Sequence, residues 1–511
     1  MSSSEQLQLN EIKNLIVAGD LVKASAACRS VIEKTDSIEA IFLLGIITSQ
    51  MGLHGESLTL FEKAAAQLPE RSDVAYNYGN ALQAMGKLDA AIGQWSRAAK
   101  LNPKLADAHF NLGLAFSKKT EWANAIVHYE MARDLQPGNA VAHYSLGNAN
   151  FRSGSREAAR ECFECAVALN PEYTEAWINL GLAALRIGDS GFATEALEKA
   201  IDLDPSNIVA HFNLGQALLH EAMFERGYAE CEWRRRAYTL PFPEQGQPAW
   251  EGGNPSGQRV LVYAEQGHGD TIQFLRYAQG LSERGATVLL HCHPSLVHLF
   301  EDAAGIDSVS SFGDPPAEFE TYAPLVSLPH LLRQAEPDSA PPAPYLSAPS
   351  ALKLPDGENV LKVGLVWAGN PLHDDDANRS VPLTTLGPLL EIKNIRFFSL
   401  QVGDRSLETI GQGKVENLTD LAPDLSNYQD TAAAISALDL VISVDTSVAH
   451  LAGALGSPVW LLLPRIADWR WPREGERTPW YPTMRLFRQE DDAGWPPVIG
   501  RVRESLLELA D

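Results

Sequence analysis

The chain has 511 residues, too many for one hydrophobic core, and this length predicts two or three domains. A hydrophobic fraction of 45% and a charged fraction of 21% are ordinary for globular protein. The formal net charge of −24 argues against a protein that wraps nucleic acid or docks on an anionic membrane, because both need clustered Lys and Arg.

The sequence shows no membrane or secretion signal. No apolar run reaches the roughly 18 residues that a transmembrane helix needs. The start, MSSSEQLQLNEIKN, lacks the basic and apolar regions of a secretory signal. The five cysteines are odd in number and scattered, which favours a reducing compartment over a disulfide framework. We therefore expect a cytoplasmic protein without a transmembrane segment.

The first half of the chain repeats with a period of 34 residues. The period is marked by glycines and prolines: Gly45, Gly79, Gly113, Gly147, Gly181 and Gly215, with Pro69, Pro103, Pro137, Pro171 and Pro205. Glycine allows helices to approach closely, and proline ends a unit because it cannot continue a helix. A fixed period of this length is typical of helix–turn–helix solenoids, which present a long concave surface to another chain.

Segments such as DAHFNLGLAF and AHFNLGQALL resemble tetratricopeptide repeats. Six or seven units fit between residue 1 and about residue 236. The unit before residue 36 lacks the Gly and Pro marks, as a capping repeat does. We expect an all-α solenoid over residues 1–236.

A polar side chain recurs two residues before the repeating glycine. The asparagines at this place are Asn77, Asn111, Asn179 and Asn213. Asn is a mediocre helix former, so its recurrence suggests a function in the groove, namely holding an extended peptide. A similar asparagine ladder occurs in O-linked N-acetylglucosamine transferase. The alternative is that Asn is merely common at this position of such repeats.

The second half alternates apolar runs with helical patterns, which predicts parallel α/β structure. A Pro- and Gly-rich linker covers residues 237–257, and a first α/β block covers residues 258–340. It opens with RVLVYAEQGHGDTIQFLRY, a strand, a glycine-containing turn and a helix. A second Pro-rich linker covers residues 341–358, and a second α/β block covers residues 359–511.

The run LDLVISVDTSVAHLAGALGSPVWLLLP is the most informative part of the second block. It predicts a buried strand, a polar turn, a helix of small residues and another strand. Ligands of open α/β sheets lie at the carboxyl ends of strands. The amides around Thr446 and Ser447 are therefore expected to face a phosphate, helped by the helix dipole.

Two α/β halves in series resemble the GT-B architecture of glycosyltransferases, that is, a pair of Rossmann-like domains. The motifs WAGNPxHxxDxxRS, SVDTSVAHLAGALG and TPWYPTMRLFRQ look like those of heptosyltransferase-like glycosyltransferases, in the form that bacteria fuse to tetratricopeptide repeats. Flagellin glycosyltransferases share this layout. No match to the heptose-contacting regions of that family is visible, which favours a protein acceptor over a lipopolysaccharide core.

The resemblance implies a set of site residues. Those that match the D-T-x-x-x-H nucleotide-sugar motif are Asp445, Thr446, Ser447 and His450. Those in the glycine–aspartate turn of the first block are Gly267, Gly269 and Asp270. The pyrophosphate-binding loop carries Arg379 and Ser380, and Asn370 of the WAGNP motif is assigned to the same nucleotide-sugar site.

Several of these residues have a second interpretation. Asp270 is the expected catalytic base, or a group that orients the acceptor, but it also fits a helix N-cap. His450 either contacts the donor or orients its loop. The aromatic segment around Trp469, Trp471 and Trp480 either closes the second block or stacks on the donor.

We expect no metal and no cofactor. His373 with Asp374, Asp375 and Asp376 suggests a divalent cation, but a solvated acidic loop explains these residues as well. The resemblance implies a metal-independent, inverting transfer. It also implies a nucleotide-sugar donor and a protein acceptor held by the repeats. The alternatives are a glycosyltransferase of lipopolysaccharide or surface-glycan synthesis, and a non-catalytic scaffold with a nucleotide-binding α/β domain.

Overall fold

A computed structural model describes the chain over residues 3–237, 240–242, 246–355, 360–373, 375–407, 417–490 and 493–510. The chain divides into two compact units. The first comprises Met1–Ile187 with Asp202–Pro205, and the second comprises Gly188–Ile201 with Ser206–Asp511. An all-helical region is followed by a region with parallel sheets.

The first unit consists of helices that pack against their neighbours in chain order. They are α1 (Ser3–Val17), α2 (Leu21–Thr35), α3 (Ile38–Gln50), α4 (His54–Gln67), α5 (Ser72–Ala84), α6 (Leu88–Leu101), α7 (Ala106–Lys118), α8 (Trp122–Leu135), α9 (Ala140–Ser153), α10 (Arg156–Leu169) and α11 (Thr174–Arg186). The predicted 34-residue unit is a pair of these helices, and the unit before residue 36 forms the pair α1 and α2.

Four of the recurring glycines lie against aromatic rings. A Cβ atom built on Gly79 would lie 2.6 Å from Cδ1 of Trp95. The same relation holds for three further pairs: Gly45 with Phe61, Gly113 with Tyr129, and Gly147 with Phe163. Glycine is needed in these four helical pairs because the second helix of each buries a ring where the first helix would carry a side chain.

The recurring prolines contribute their carbonyl groups. The ring nitrogen Nε2 of His143 lies 3.0 Å from the carbonyl oxygen of Pro137, and Nε1 of Trp177 donates to that of Pro171 at 2.9 Å. His109 makes the equivalent contact with Pro103. A carbonyl only accepts, so Nε2 carries the hydrogen in both histidines. These bonds fix three of the first helices, α7, α9 and α11, to the turn that precedes each of them.

The second unit begins with the remaining helices of the repeat region. They are α12 (Ser190–Leu203), whose last residues belong to the first unit, α13 (Ile208–His220) and α14 (Phe224–Cys231). A 3₁₀ helix (Glu232–Arg236) follows. Buried Arg234 pairs with Glu265 and donates to Ser327 Oγ at 2.8 Å, which ties this segment to the first sheet.

The first sheet has four parallel strands in the order β3-β2-β1-β4. Its elements are β1 (Arg259–Tyr263), α15 (His268–Leu275), α16 (Ala278–Ser282), β2 (Thr287–Cys292), α17 (Val297–Phe300), β3 (Ser308–Ser311), β4 (Thr321–Pro324) and α18 (Leu328–Leu331). The preceding linker is partly packed: Phe242 and Trp250 are buried, and Trp250 N donates to Tyr322 O at 2.7 Å.

The second sheet has six parallel strands in the order β10-β9-β8-β5-β6-β7. Its elements are β5 (Leu361–Val366), α19 (Asp376–Arg379), α20 (Gly387–Leu390), β6 (Ile395–Ser399), β7 (Leu418–Asp420), α21 (Tyr428–Ile435), β8 (Leu440–Val444), α22 (Ser447–Ala454), β9 (Val459–Leu463), β10 (Met484–Arg488) and α23 (Pro496–Ala510). The strands are Val-, Leu- and Ile-rich, as expected where helices cover both faces of a parallel sheet.

Helix α14 is part of the core of the second unit. Phe224 packs edge-on against Trp469 and Trp480, with ring centroids 6.3 and 5.8 Å apart. Tyr228 packs against Trp469 and Phe274 in the same way. Aromatic pairs in this geometry add stability beyond the area that they bury. The last repeat helix and the sheet region therefore share one hydrophobic core.

Among the residues with described positions, no helix is both long and apolar enough to cross a membrane.

Candidate functional site

Each sheet contains a point where the direction of strand addition reverses. In the first sheet this point lies between β1 and β4, and in the second between β5 and β8. Crevices outside the carboxyl ends of strands at such switch points are the usual ligand sites of open α/β sheets. The turn Gly267–Asp270 follows β1, and Asp445 follows β8 directly. Both predicted motifs thus lie where this rule places a ligand.

A cavity of about 830 Å³ joins the two motifs. Among the predicted site residues, those that line it are Gly267, Gly269, Asp270, Asn370, Arg379, Asp445, Thr446, Ser447 and His450. Its volume lies within the range of small-molecule sites, roughly 300–1,000 Å³. Segments after β1 and β2 of the first sheet supply one wall, and segments after β5, β6, β7, β8 and β9 of the second sheet supply the others.

Asp270 is the third residue of α15, and the N-cap position belongs to Gly267. Its Oδ2 accepts from the Gly267 N–H at 3.1 Å, and its Oδ1 accepts from Nη2 of Arg470 at 2.5 Å. The N-cap interpretation of Asp270 is therefore replaced by an N3 carboxylate that closes the first turn. Burial raises the pKa of Asp270, and the Arg470 guanidinium opposes that rise.

Asp445 and His450 form the floor of the cavity. Trp471 Nε1 donates to Asp445 Oδ2 at 2.9 Å, and His450 Nε2 lies 3.9 Å from Asp445 Oδ1. On its other side, His450 Nδ1 lies 2.9 Å from the Tyr481 hydroxyl. Burial and the neighbouring Asp468 raise the pKa of Asp445 to about 6. Burial lowers the pKa of His450 to about 3, so this imidazole is neutral at physiological pH.

Glycine permits the two motifs to meet. A Cβ atom on Gly269 would lie 2.9 Å from Cδ2 of His450, so the first turn of α15 rests directly on α22. A Cβ on Gly453 would lie 2.5 Å from the ring of Tyr481. Both glycines are required by packing around His450.

The first turn of α22 lines the cavity. Thr446 is the N-cap in extended conformation, without a side-chain capping bond, and Ser447 is the first helical residue. The Ser447 hydroxyl lies 2.6 Å from the Tyr428 hydroxyl, and Thr446 Oγ1 lies 3.1 Å from Ser443 Oγ. The N–H groups of a first helical turn, with the helix dipole, favour an anionic ligand.

The predicted phosphate loop divides into residues that line the cavity and one that supports it. Asn370 and Arg379 line the cavity, and Asn370 Oδ1 also accepts from Leu372 N at 3.0 Å. Ser380 is buried behind the loop. Its hydroxyl accepts from Gly369 N–H and donates to Asp376 Oδ1. Ser380 therefore holds the loop together instead of lining the cavity as expected.

Several residues that line the cavity are not identified by the sequence analysis. Arg470 and Asp468 line the cavity from the aromatic segment, and Arg405 lines it after β6. The large aromatic side chains of that segment are buried: Trp469, Trp471, Trp480 and Tyr481. None of these four lines the described cavity, so the packed-loop interpretation of the segment is confirmed. The interspersed arginines were the available signal for Arg470.

An aromatic stack crosses the mouth of the cavity. The His268 ring stacks on His293 and on Tyr428, with centroids 4.4 and 5.3 Å apart. Its Nε2 lies 3.0 Å from Ser295 Oγ. Burial, then the neighbouring His293, lowers the pKa of His268 to about 4, so the ring is neutral at physiological pH. The stack links the turn after β1 with the start of α21.

In the repeats, two of the predicted asparagines belong to matching polar networks. Asn111 Nδ2 donates to Asn80 Oδ1 at 3.0 Å, and Asn179 Nδ2 donates to Asn148 Oδ1 at 2.8 Å. The hydroxyls of Tyr76 and Tyr144 accept from the same two amides.

The other two asparagines differ. Asn77 Nδ2 donates to the Asp73 carbonyl of its own helix at 2.8 Å. Asn213 lies half-buried on α13, in the second unit.

The residues that the structure describes contain no group of three or more His, Cys, Asp or Glu side chains placed to hold a metal ion. The predicted acidic loop is included in part only, because Asp374 lies outside the described residues. His373 and Asp375 hydrogen-bond within the loop, Asp375 N donating to His373 Nδ1 at 3.1 Å.

Comparison with known proteins identifies the repeats. A family model described as TPR repeat matches residues 79–120, and one described as Tetratricopeptide repeat matches residues 144–208. Protein FlbA of Caulobacter vibrioides is 29% identical over 299 residues, which are 51% of this chain and 48% of that protein. The chain thus spans about half the length of this curated relative.

Two solved structures are similar to part of the chain. MamA is 26% identical and aligns with 31% of this chain and 97% of its own, with a TM-score of 0.30. YrrB, described as a TPR protein with an unusual peptide-binding site, is 22% identical over 34% of this chain and 89% of its own, with a TM-score of 0.32. The N-terminal part of the chain carries tetratricopeptide repeats.

Proposed function

We propose that the chain is a nucleotide-sugar-dependent glycosyltransferase of the GT-B type, and that its repeats recruit a protein acceptor. The observation that carries the proposal is the cavity at the switch points of both parallel sheets. A carboxylate, Asp270, reaches it from one sheet, and the first turn of α22 with Arg379 reaches it from the other. Sugar transfer needs these two kinds of group on opposite sides of one ligand.

The wall formed by the second sheet suits the phosphate of the donor. The Thr446 and Ser447 amides and the Arg379 guanidinium offer donors and positive charge on one side of the cavity. These groups matter because the chain as a whole carries a net charge of −24 and does not attract anions in general. In the transition state they stabilise the charge that develops on the departing nucleotide phosphate.

Asp270 is the proposed base. The acceptor hydroxyl oxygen attacks the anomeric carbon, and its proton passes to the Asp270 carboxylate. The bond from that carbon to the phosphate oxygen breaks, and its electron pair leaves with the nucleotide. The burial that raises the pKa of Asp270 makes the carboxylate a better proton acceptor, and Arg470 keeps it ionised beforehand.

Asp445 and His450 are the proposed sugar-binding pair. Asp445 lines the cavity directly after β8, and the Trp471 indole holds one of its oxygens. A carboxylate can accept further hydrogen bonds from sugar hydroxyls. Neutral His450, held by Tyr481, is placed to orient Asp445 and to close the floor.

The repeat networks favour a peptide as the acceptor. In each network one Asn amide donates to its neighbour, which leaves the Oδ1 of Asn111 or Asn179 able to accept from a backbone N–H. The backbone N–H groups of an extended peptide are donors that suit such acceptors. A glycan acceptor is the alternative, and it predicts that these asparagines are dispensable.

Calorimetric titration of the full chain with UDP, GDP, ADP and CMP tests the donor site. We expect one of these nucleotides to bind in the micromolar range, and Arg379→Gln to weaken that nucleotide about tenfold or more. Arg503→Gln is the matched control, because Arg503 is exposed on α23 and outside the lining of the cavity. Absence of binding by any of the four, with the chain folded, would contradict the proposal and leave a scaffold.

A further inference from the structure

A buried carboxylate lies behind the phosphate side of the cavity, between two guanidinium groups. Asp376 Oδ1 is 3.6 Å from Arg379 Nε, and Asp376 Oδ2 is 3.6 Å from Arg405 Nη2. The two arginines come from different loops, one after β5 and the other after β6. Both arginines line the cavity, whereas Asp376 is absent from its lining.

The carboxylate itself is fixed from behind. The Ser380 hydroxyl donates to Asp376 Oδ1 at 2.9 Å and accepts from the Gly369 N–H at 3.0 Å. Gly369 also leaves room for the guanidinium. A Cβ at that position would lie 2.6 Å from Arg379 Nη2 and 2.7 Å from Asp376 Oδ1. Gly369, Asp376 and Ser380 therefore pack together around the Arg379 guanidinium.

The two guanidiniums are partly exposed and line the cavity, whereas the carboxylate between them is buried. The exposed fractions of the side chains are 17% for Arg379, 37% for Arg405 and 6% for Asp376. The Nε of Arg379 is buried and has no hydrogen-bond partner among the residues described. A guanidinium carries five N–H donors, and hydrogen bonds within the described part of the chain do not use all of those of Arg379.

We propose that Arg379 and Arg405 are the two arms of a clamp for the phosphate of the donor, and that Asp376 is the residue that positions both. Arg405 is then a ligand-binding residue, while Ser380 acts through Asp376. The inference rests on the proposed nucleotide donor for its biological ligand. Planar guanidiniums held on a common carboxylate grip phosphate oxygens with little loss of side-chain entropy.

The test is calorimetric titration of the full chain with inorganic pyrophosphate at low salt. We expect Arg405→Gln and Arg379→Gln each to weaken pyrophosphate binding about tenfold or more, with Arg503→Gln unchanged. Arg405→Lys keeps the charge without the planar fork, and an intermediate loss is expected. Unchanged affinity in Arg405→Gln, or no pyrophosphate binding by the unmodified chain, would overturn the clamp.

Asp376→Asn tests the positioning role by the sign of its effect. The substitution removes a negative charge beside the phosphate, so a purely electrostatic role predicts tighter binding. A positioning role predicts weaker binding, and this is the expected result. Far-ultraviolet circular dichroism confirms folding of each variant. If Asp376→Asn does not fold, the Arg405 series decides by itself.

Binding of pyrophosphate tests the clamp independently of the proposed sugar transfer, because pyrophosphate contains no sugar. A chain that binds pyrophosphate through Arg379 and Arg405 but transfers no sugar would retain the clamp and contradict the transferase. A chain that transfers sugar with undiminished pyrophosphate binding in Arg405→Gln would retain the transferase and contradict the clamp.

Discussion

Arg470 donates to the Asp270 carboxylate at 2.5 Å, across 200 residues of sequence. The arginine belongs to the aromatic segment after β9, and its guanidinium lies over the Trp469 ring, 4.4 Å from the centroid. Trp469 in turn packs against Phe224 and Tyr228 of the last repeat helix. The proposed base is thus held by a residue that rests on the repeat region.

This packing predicts where the chain can be cut. A fragment of residues 188–511 keeps α13 and α14 and is expected to fold. A fragment of residues 237–511 loses Phe224 and Tyr228 and uncovers Trp469 and Trp480, so we expect aggregation or a Tm lower by several degrees. Calorimetry on both fragments checks this. Equal Tm values for the two fragments would contradict the shared core. In that case deletion of residues 1–236 would leave the sheet region intact, and its effect on transfer would report on acceptor recruitment alone.

The buried imidazole of His450 predicts a pH-dependent loss of stability. Its pKa is lowered to about 3, below the roughly 6.5 of an unfolded histidine, so the unfolded chain binds the proton more readily. Stability is lost as pH falls below about 6.5, by up to about 1.4 kcal/mol per pH unit. His450→Gln removes this term.

We therefore expect the Tm of His450→Gln to fall less than that of the unmodified chain between pH 7 and pH 5. Asp445, whose raised pKa of about 6 acts in the opposite direction, is present in both chains and cancels in the comparison. Parallel decreases in Tm would contradict a buried neutral His450.

Two glycine-to-alanine substitutions in the pair α5 and α6 are expected to change the free energy of unfolding in opposite directions. Gly79→Ala places a Cβ 2.6 Å from the buried Trp95 ring and is expected to cost about 1–3 kcal/mol. Gly93, on α6, has open space around it, so Gly93→Ala is expected to stabilise by about 0.5–1 kcal/mol. Urea unfolding of the full chain measures both. Equal effects would contradict the close approach of α5 and Trp95.

The asparagine networks predict a loss of acceptor capture without loss of fold. The double variant Asn111→Ala with Asn179→Ala removes both amides, and we expect at least tenfold weaker binding of the acceptor protein. Asn124→Ala is the control, since Asn124 is exposed on α8 and donates to Glu121, the N-cap residue of that helix. Full acceptor modification by the double variant would favour a glycan acceptor or another recruiting surface.

Local patterns revealed much of the fold. The 34-residue period located the helical pairs because the close packing of a glycine on the first helix against the second helix recurs along the chain, in four pairs against an aromatic ring. The strand Leu440–Val444 was recognisable because a buried parallel strand is a continuous apolar run, and the turn at Asp445 was recognisable because this run ends there. Sheet order was not accessible, since it depends on contacts between distant strands.

The site was predictable only where its residues belong to local motifs. Asp445, His450 and Asp270 were found in this way and line one cavity. Arg470 and Arg405 were missed because their roles depend on partners elsewhere in the fold, Asp270 and Asp376. Ser380 belongs to the predicted loop, but its hydroxyl donates to the buried Asp376 instead of facing the cavity. The spacing of residues in the sequence does not reveal this hydrogen bond.

The most direct test of protein glycosylation is an intact-mass comparison of proteins from cells with and without this chain, complemented by variants. We expect one cellular protein to lose a sugar-sized mass increment when the chain is absent. The unmodified chain and Arg503→Gln should restore the increment. Asp270→Asn should restore none, because loss of a catalytic base costs roughly 10²–10⁴ in rate. No change in any protein mass on removal of the chain, or full restoration by Asp270→Asn, would contradict the account.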